Sequence, residues 1–329
     1  MIPFFGSKPV ARVALSMRPA RGPWGGSSTF VVQLLAQLRR RGFEVCFDLK
    51  GDIDLIVIID PRIDGRLKRF GPDEIAAYRA KNPRVRVLHR VNECDQRKAT
   101  SFMDPLLAKA NEHADFTVFI AEWLRDYHVA RWFDSAKPHS VIYNGADPAV
   151  FHPIGSRPWK EGEPLRVVTH HWSNHPLKGF DIYEEVDRLI TAGELPGFEL
   201  WVIGRWPENL VWKSARTFPP SSGRRLAEQL RECHLYLTGT RWEPCGMHHV
   251  EGAQCGLPLA YHEEGGGVVE AGKKYGLGFR DDVKGCLLEM RARYAEFRGR
   301  VLAAMPSGDR MAYEFANLIQ RMIAEAREP

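Results

Sequence analysis

The stretch "LYLTGTRWEPCGMHHVEGAQCGLPLAY", residues 235–261, joins two short apolar runs through an unusual glycine-punctuated segment. The runs at 235–239 and 257–261 have the length and composition of buried strands. Pro244 and Gly246 interrupt the segment between them, so it should begin as a loop and continue as a helix. The order strand, loop, helix, strand is typical of a parallel α/β unit.

The same alternation continues along almost the whole chain. A segment rich in Pro and Gly, residues 144–164, separates two halves and is interpreted as a linker. Apolar strands without polar alternation indicate parallel sheets covered on both faces, so we predict an α/β protein with two Rossmann-like domains facing across a cleft. The remaining predicted strands are 12–16, 43–48, 54–60, 85–91, 116–120, 139–143, 165–170 and 198–204.

Composition narrows the class of protein. The chain is 44% apolar and 26% charged, as is usual for globular proteins, and no apolar run approaches the roughly 18 residues of a membrane span. The first residues lack a signal peptide, so we expect a cytoplasmic protein with reduced cysteines. His171 and His175 have a spacing seen in metal ligands, but they fall in a predicted loop, and we expect no metal site.

Charge is distributed unevenly. Residues 1–153 hold 23 Lys and Arg against 17 Asp and Glu, an excess of six, whereas the remainder holds 23 against 24. The basic first half would suit an anionic partner, such as a membrane surface or an anionic acceptor, and simple solubility explains it equally well. We expect no nucleic-acid partner.

Ligands of parallel α/β sheets bind in the loops that follow the strands, near helix N-termini. After the first strand, Gly25 and Gly26 permit close approach of a ligand to a helix start. The loop 89–101 concentrates ionisable groups that are costly to bury unless they face a wet cleft. Lys178, directly before a helix, and Arg205, after the next strand, would suit a phosphate.

Four motifs together resemble a known family. They are "VIYNGADPAVFHP" (141–153), Lys178-Gly179, the glutamates Glu243 and Glu251 with seven residues between them, and "EEGGGVVE" (263–270). Their order resembles that of GT-B glycosyltransferases, and more narrowly of glycosyltransferase family 4 (glycosyl transferases group 1), which are retaining enzymes. The resemblance covers nearly the whole chain. It implies an acceptor domain, 1–153, completed by a helix over 309–327 that packs back on it, and a nucleotide-sugar domain, 154–308.

The resemblance also implies roles for individual residues. Glu251 would accept the hydroxyls of the nucleotide's ribose, because a carboxylate can accept two O–H donors. Glu243 would lie near the donor sugar, and Lys178 with Arg205 would neutralise the diphosphate without a metal or other cofactor. Further nucleotide-sugar contacts are expected from Gly25, Gly26, Cys245, Gly246, Met247, His248, Gly266 and Gly267.

The sequence departs from the family pattern at three positions. The arginine that many members carry shortly before the lysine is missing from "HHWSN" (170–174), which is why Arg205 is the candidate substitute. A first-domain histidine near the sugar would be replaced by His89, Arg90 or Asn92. Ala121 stands where many members have a serine.

The resulting prediction is a retaining glycosyltransferase that moves a sugar from a nucleotide-sugar donor to a hydroxyl of a glycan or lipid-linked acceptor by front-face displacement. It would be cytoplasmic, with a peripheral contact at the inner membrane face as a further expectation. The alternatives are a GT-B phosphorylase or nucleotide-sugar epimerase, and a non-catalytic nucleotide-sugar-binding subunit. A nicotinamide oxidoreductase is disfavoured because no G-x-G-x-x-G follows a strand.

Overall fold

The computed structural model describes residues 9–20 and 26–328 and contains two parallel sheets of six strands each. The strand order of the first sheet is 2-1-3-4-5-6. Its members are β1 (Arg12–Leu15), β2 (Glu44–Cys46), β3 (Leu55–Ile58), β4 (Arg86–Val91), β5 (Phe116–Phe119) and β6 (His139–Val141). All four residues of β3 are buried, as expected for a parallel strand covered on both faces.

The second sheet has the strand order 12-11-10-7-8-9. Its members are β7 (Leu165–His171), β8 (Phe198–Gly204), β9 (Arg216–Phe218), β10 (Leu235–Thr238), β11 (Leu259–His262) and β12 (Gly276–Phe279). Every predicted strand has a counterpart, whereas the two edge strands β9 and β12 were not predicted. The sequences of these two, RTF and GLGF, contain no apolar run, and edge strands need none.

Helices cover both faces of the two sheets. Those that precede the second sheet in the chain are α1 (Gly26–Arg40), α2 (Pro72–Lys81), α3 (Met103–Asn111) and α4 (Glu122–Val129). The later ones are α5 (Phe180–Thr191), α6 (Gly223–Arg231), α7 (Met247–Gln254), α8 (Gly267–Tyr275), α9 (Val283–Ala292), α10 (Tyr294–Ala303) and α11 (Gly308–Arg327). Single 3-10 turns occur at Gln96–Lys98 and Pro176–Lys178. No helix in the described part of the chain is both long enough and apolar enough to cross a bilayer.

Helix α11 packs on the first sheet and not on the second, as the resemblance implied. Its buried stripe, which includes Met311, Phe315 and Ile319, joins the core formed by β1, β3 and α1. The rings of Phe315 and Phe30 meet edge to face with centroids 4.8 Å apart. Each fully buried side chain of this size contributes about 1.5–3 kcal/mol relative to exposure, so α11 belongs to the first domain's core.

Hydrogen bonds fix how the two domains sit relative to each other. The Asn144 side chain accepts from Nη2 of Arg90 in the first domain at 2.9 Å and donates to the carbonyl of Cys245 in the second at 2.7 Å. On another side, the Glu270 carboxylate accepts from the backbone N–H of Trp123 at 2.6 Å, at the start of α4. Ala121, which precedes α4, has no side-chain oxygen with which to cap the helix, so the second domain supplies that acceptor.

Candidate functional site

A cleft of about 570 Å³ lies between the two domains and is lined by both. The first domain contributes the start of α1 and the loops after β3 and β4, and the second contributes the loops after β7 and β10 and the start of α7. The two helix starts approach so closely that a Cβ on Gly26 would lie 2.5 Å from Cγ of Met247. The predicted site residues that line the cleft are Gly26, Asn92, Lys178, Glu243, Cys245, Gly246, Met247, His248 and Glu251.

A buried cluster of charges centres on Glu243. Its Oε2 accepts from Nζ of Lys178 at 2.5 Å and from Nη2 of Arg97 at 3.1 Å, while Nε of Arg97 lies 2.9 Å from Oε1. Arg97 belongs to the loop after β4, so this ion cluster joins the two domains. Arg97 also donates from Nη1 to the carboxylate of Glu93, at 3.0 Å to Oε2.

The electrostatics of this cluster keep Glu243 ionised. Burial alone would raise the pKa of the Glu243 carboxyl, but the charges and hydrogen bonds of Arg97 and Lys178 hold that pKa well below its usual range. Burial lowers the pKa of Lys178, and Glu243 opposes that change. A carboxylate with so low a pKa is a poor proton acceptor, so the arrangement suits binding and charge compensation better than general-base catalysis.

Glu251, on α7, is held by a second buried network. Its Oε2 lies 2.9 Å from Nε2 of His170, and the Nδ1 of that histidine lies 3.0 Å from the hydroxyl of Tyr236. Burial raises the pKa of Tyr236 well above its ordinary value, so the phenol keeps its proton and can donate it to Nδ1. The assignment that satisfies both bonds places the His170 proton on Nε2, where it is donated to Glu251. The carboxylate is thereby oriented, and no hydrogen bond from the described residues engages its other oxygen.

The start of α7 supplies backbone donors to the same cleft, because the first N–H groups of a helix have no partner within it. Gly246 precedes the helix, and a Cβ there would lie 2.3 Å from the His248 ring and 3.0 Å from Cγ of Glu243. Nε2 of His248 lies 3.1 Å from the hydroxyl of Thr238. Burial lowers the pKa of His248 well below its usual value, so its ring is neutral.

Gly266 and Gly267 do not line the cleft; they position the loop that carries Glu243. The N–H of Gly267 donates to the carbonyl of Glu243 at 2.9 Å, and the N–H of Glu243 donates to the carbonyl of Gly265 at 3.2 Å. Gly266 has φ of +65°, and a Cβ on Gly267 would lie 1.8 Å from the carbonyl oxygen of Pro244. In this structure the two glycines therefore support the loop of Glu243, and their contact with a ligand stays a prediction.

Two predicted site residues do not line the cleft in this structure, and a third lies outside the part of the chain that the structure describes. His89 is wholly buried, with Nδ1 3.1 Å from the Asn111 amide, and burial lowers its pKa to about 3; its ring does not line the cleft. Arg205 follows Gly204, which turns the chain with φ of +118°, and donates to the carbonyl of Trp172 instead of lining the cleft. Gly25 lies outside the described residues.

Asn92 remains in the cleft as the first-domain candidate. In the amide orientation that satisfies both of its ends, its oxygen accepts from Oγ of Ser27 at 2.8 Å and from Nη1 of Arg90 at 2.9 Å. The Arg90 guanidinium lies 4.1 Å over the ring of Phe30, and burial lowers its pKa to about 9. Asn92 is thus fixed beside the start of α1.

The first-domain wall also contains a cationic pair. Asp60, at the end of β3, accepts from Nε of Arg62 at 2.8 Å and pairs with Nζ of Lys68 at 2.8 Å. Burial raises the pKa of Asp60, but these two cations outweigh it and hold the pKa low. Because the carboxylate engages only part of each cation, further N–H donors of Arg62 and Lys68 are available to a ligand in the cleft.

Arg97 and His170 were not singled out from the sequence. Arg97 lies within the charged loop 89–101, which lines the cleft as predicted. Its partner Glu243 is far away in the chain, so the sequence alone did not indicate their pairing. His170 lies near the end of β7, and only the neighbouring His171 and His175 were considered there, as metal ligands. Among the described residues, no group of three or more His, Cys, Asp or Glu is arranged to hold a metal ion.

Solved structures share this architecture. No protein-family model and no curated protein matches the sequence. Sucrose-phosphate synthase from Thermosynechococcus elongatus is 15% identical, with 96% of this chain and 100% of that chain covered and a TM-score of 0.68. Anabaena HepE in complex with UDP and glucose is 12% identical, with 94% and 100% covered and a TM-score of 0.67. WaaG, a glycosyltransferase involved in lipopolysaccharide biosynthesis, is 13% identical, with 94% and 99% covered and a TM-score of 0.65. At these identities the similarity shows the fold, which is GT-B.

Proposed function

We propose that this protein is a retaining glycosyltransferase that transfers a sugar from a nucleotide-sugar donor to a hydroxyl acceptor. The observation that carries the proposal is the meeting of Glu243, Lys178, Glu251 and the start of α7 in one interdomain cleft. A nucleotide sugar can be bound by a carboxylate that accepts from its ribose diol, by a cation that pairs with its phosphates and by free backbone N–H groups. The GT-B relative HepE was solved with UDP-glucose, which supports a donor of this class.

The second domain would bind the donor. Glu251, oriented by His170, accepts the ribose hydroxyls, and Lys178 compensates the charge of the diphosphate. Glu243, on the loop after β10, would reach the donor sugar beside Lys178, which comes from the loop after β7 and donates to Glu243. We expect no metal ion and no other cofactor to be required, because the cations of the cleft supply the positive charge.

The reaction would proceed on one face of the sugar. The acceptor oxygen forms a bond to the anomeric carbon as the bond from that carbon to the diphosphate breaks, and the departing phosphate oxygen takes the acceptor's proton. No protein nucleophile is needed, and the ion-paired Glu243 is unsuited to be one. The protein contributes positioning and stabilisation of the charge that develops on the leaving group.

The first domain would bind the acceptor, a glycan or lipid-linked molecule, against the wall formed by Asn92, Arg62 and Lys68. A peripheral contact with an anionic membrane is part of the proposal. Arg66 and Arg69 are exposed and close in sequence to this wall, and they would make the membrane contact. Lys68 is instead engaged with Asp60 inside the cleft. The protein would then act at the cytoplasmic face of the membrane that carries its acceptor.

The test is a product analysis with UDP-, GDP- and ADP-sugars. The proposal predicts slow hydrolysis of one donor or transfer from it, with the anomeric configuration of the product, read by proton NMR, the same as that of the donor. An inverted anomeric centre would contradict the retaining mechanism. Donor consumption that depends on inorganic phosphate would indicate a phosphorylase, and a changed sugar on an intact nucleotide would indicate an epimerase. Binding of a donor without turnover under any of these conditions would indicate a non-catalytic nucleotide-sugar-binding subunit.

A further inference from the structure

We propose that Arg97, a residue of the first domain, binds the donor's diphosphate together with Lys178, and that Glu243 occupies these two cations until the donor arrives. The inference rests on the proposed function and deepens it. It assigns the second phosphate-binding cation to the opposite domain from Lys178, so that the diphosphate would bridge the cleft.

The geometry places Arg97 where such a cation is needed. Its guanidinium and the Lys178 ammonium converge on the same carboxylate, with Nη2 and Nζ at 3.1 and 2.5 Å from Oε2 of Glu243. Arg97 is also anchored by the carboxylate of Glu93, which fixes the direction of the guanidinium. Two cations of opposite domains thus already share one anion.

The arginines of the second domain that were considered for this role are engaged elsewhere. Arg241 lines the cleft, but its Nη1 and Nη2 bind the carboxylate of Asp181 at 3.0 and 2.7 Å. Arg205 does not line the cleft and donates to the carbonyl of Trp172. The segment 170–174, shortly before Lys178, contains no arginine or lysine. Within the described residues, Arg97 is the guanidinium that meets Lys178.

Charge explains why Glu243 lies between the two cations. Arg97 lowers the pKa of Lys178, which shows that the two positive groups disfavour each other. A buried carboxylate between them removes that repulsion and satisfies their N–H groups. A diphosphate carries more charge and more acceptor oxygens than one carboxylate. When it binds, the two cations can pair with its oxygens, and Glu243 is released to accept hydroxyls of the donor sugar.

This exchange has a consequence that a purely supporting role for Glu243 would not have. The diphosphate must displace Glu243 from the cations, so the native carboxylate competes with the ligand. Removing the charge of Glu243 while keeping its size should therefore strengthen the binding of a nucleoside diphosphate. The free nucleoside, which has no phosphate, should be unaffected.

The experiment measures, by calorimetry, the affinities of UDP, GDP and ADP and of the corresponding nucleosides for the wild type and three variants. For the nucleotide that binds, Glu243→Gln should bind the diphosphate about tenfold more tightly, in the range of couplings between close charge pairs, and should nevertheless lose turnover. Arg97→Gln should bind the diphosphate about tenfold more weakly and the nucleoside equally well. Lys109→Gln is the control, because Lys109 does not line the cleft and pairs with Asp73 on the surface, at 2.7 Å. It should leave both affinities within twofold.

The outcomes separate this inference from the proposed function. If the wild type binds none of the nucleoside diphosphates, the proposed function fails. If it binds one, but Glu243→Gln weakens that binding or Arg97→Gln lowers nucleoside and diphosphate affinity equally, the exchange is wrong and the cluster is structural. If Glu243→Gln does not fold, a comparison of Arg97→Gln with Arg97→Lys tests the role of Arg97 in its place. Lysine keeps the positive charge, so Arg97→Lys should bind the diphosphate more tightly than Arg97→Gln and no more tightly than the wild type.

Discussion

Replacing Glu251 with glutamine changes one carboxylate oxygen into an amide group and so tests whether this carboxylate binds the ribose. One oxygen of the native carboxylate accepts from Nε2 of His170 at 2.9 Å, and the other, which has no hydrogen-bond partner among the described residues, would face the ligand. Glutamine has the same size but carries an N–H₂ group in place of one oxygen. If that group faces His170, two donors oppose each other, and if it faces the cleft, a ribose hydroxyl loses its acceptor.

The magnitude follows from the loss of one charge-assisted hydrogen bond in a buried site. Such bonds contribute about 1.5–3 kcal/mol, so the affinity for a nucleoside diphosphate should fall by roughly 10- to 150-fold. The assay is calorimetry with that diphosphate and with its 2′,3′-dideoxy counterpart. The wild type should lose a similar factor when the hydroxyls are removed from the ligand, whereas Glu251→Gln should discriminate little between the two ligands. The four affinities form a double-mutant cycle whose coupling energy isolates the contact.

One result would refute this reasoning. If Glu251→Gln weakens both ligands by the same factor, the carboxylate does not contact the ribose, and the His170–Glu251 pair only supports α7. Glu263→Gln is the control, because Glu263 is an exposed glutamate that pairs with Arg280 on the surface at 3.4 Å. It should change neither affinity. The thermal midpoint of each variant shows whether its fold is intact.

Four further predictions concern other parts of the molecule. Lys178→Ala should slow turnover by roughly 10²–10³, as does the loss of one preorganised charge-stabilising group, and equal losses of nucleoside and diphosphate affinity would contradict that role. Activity should survive exhaustive EDTA treatment, and recovery only on adding Mn²⁺ or Mg²⁺ would overturn the metal-free mechanism. Burial lowers the pKa of His128 and His249 to about 4. Both are neutral in the fold and gain protons on unfolding below about pH 6.5, so the free energy of unfolding, measured in urea, should be fully present above that pH and decrease towards pH 4, with a smaller decrease for His128→Gln. Vesicles with acidic lipids should sediment the protein at low salt, and Arg66→Glu with Arg69→Glu should abolish this without changing donor hydrolysis; equal binding to neutral vesicles would exclude the electrostatic contact.

Local patterns were sufficient to predict ten of the twelve strands in the two sheets. Runs such as 54–60 are apolar along their whole length because both faces of a parallel strand are buried, and that property can be read without knowing the partners. The edge strands β9 and β12 were missed because they are short and lack such runs. Prolines and glycines also marked the break between loop and helix within the stretch 235–261, where α7 begins at Met247.

The candidate site was predicted less completely, because its contacts join distant parts of the chain. Glu243 and Glu251 were singled out from their spacing and Lys178 from its position before a helix, and the structure brings all three to one cleft. The pairing of Glu243 with Arg97 depends instead on how the two domains meet. Position at the end of a strand suggested His89 and Arg205, but the direction of each side chain is set by the alternation of β4 and by the turn at Gly204. The direction of these two side chains cannot be predicted from the residue type alone.

The packing of α11 on α1 has a consequence for how the protein is made. The side chains of Phe30 and Leu34 lie in one core with those of Phe315 and Ile319, although the ribosome synthesises α11 long after α1. While residues 165–303 emerge and can complete their own sheet, the first domain still lacks the helix that covers it. Its exposed apolar surface is then a target for chaperones or for aggregation. The domain that is translated first is therefore the one that finishes folding last.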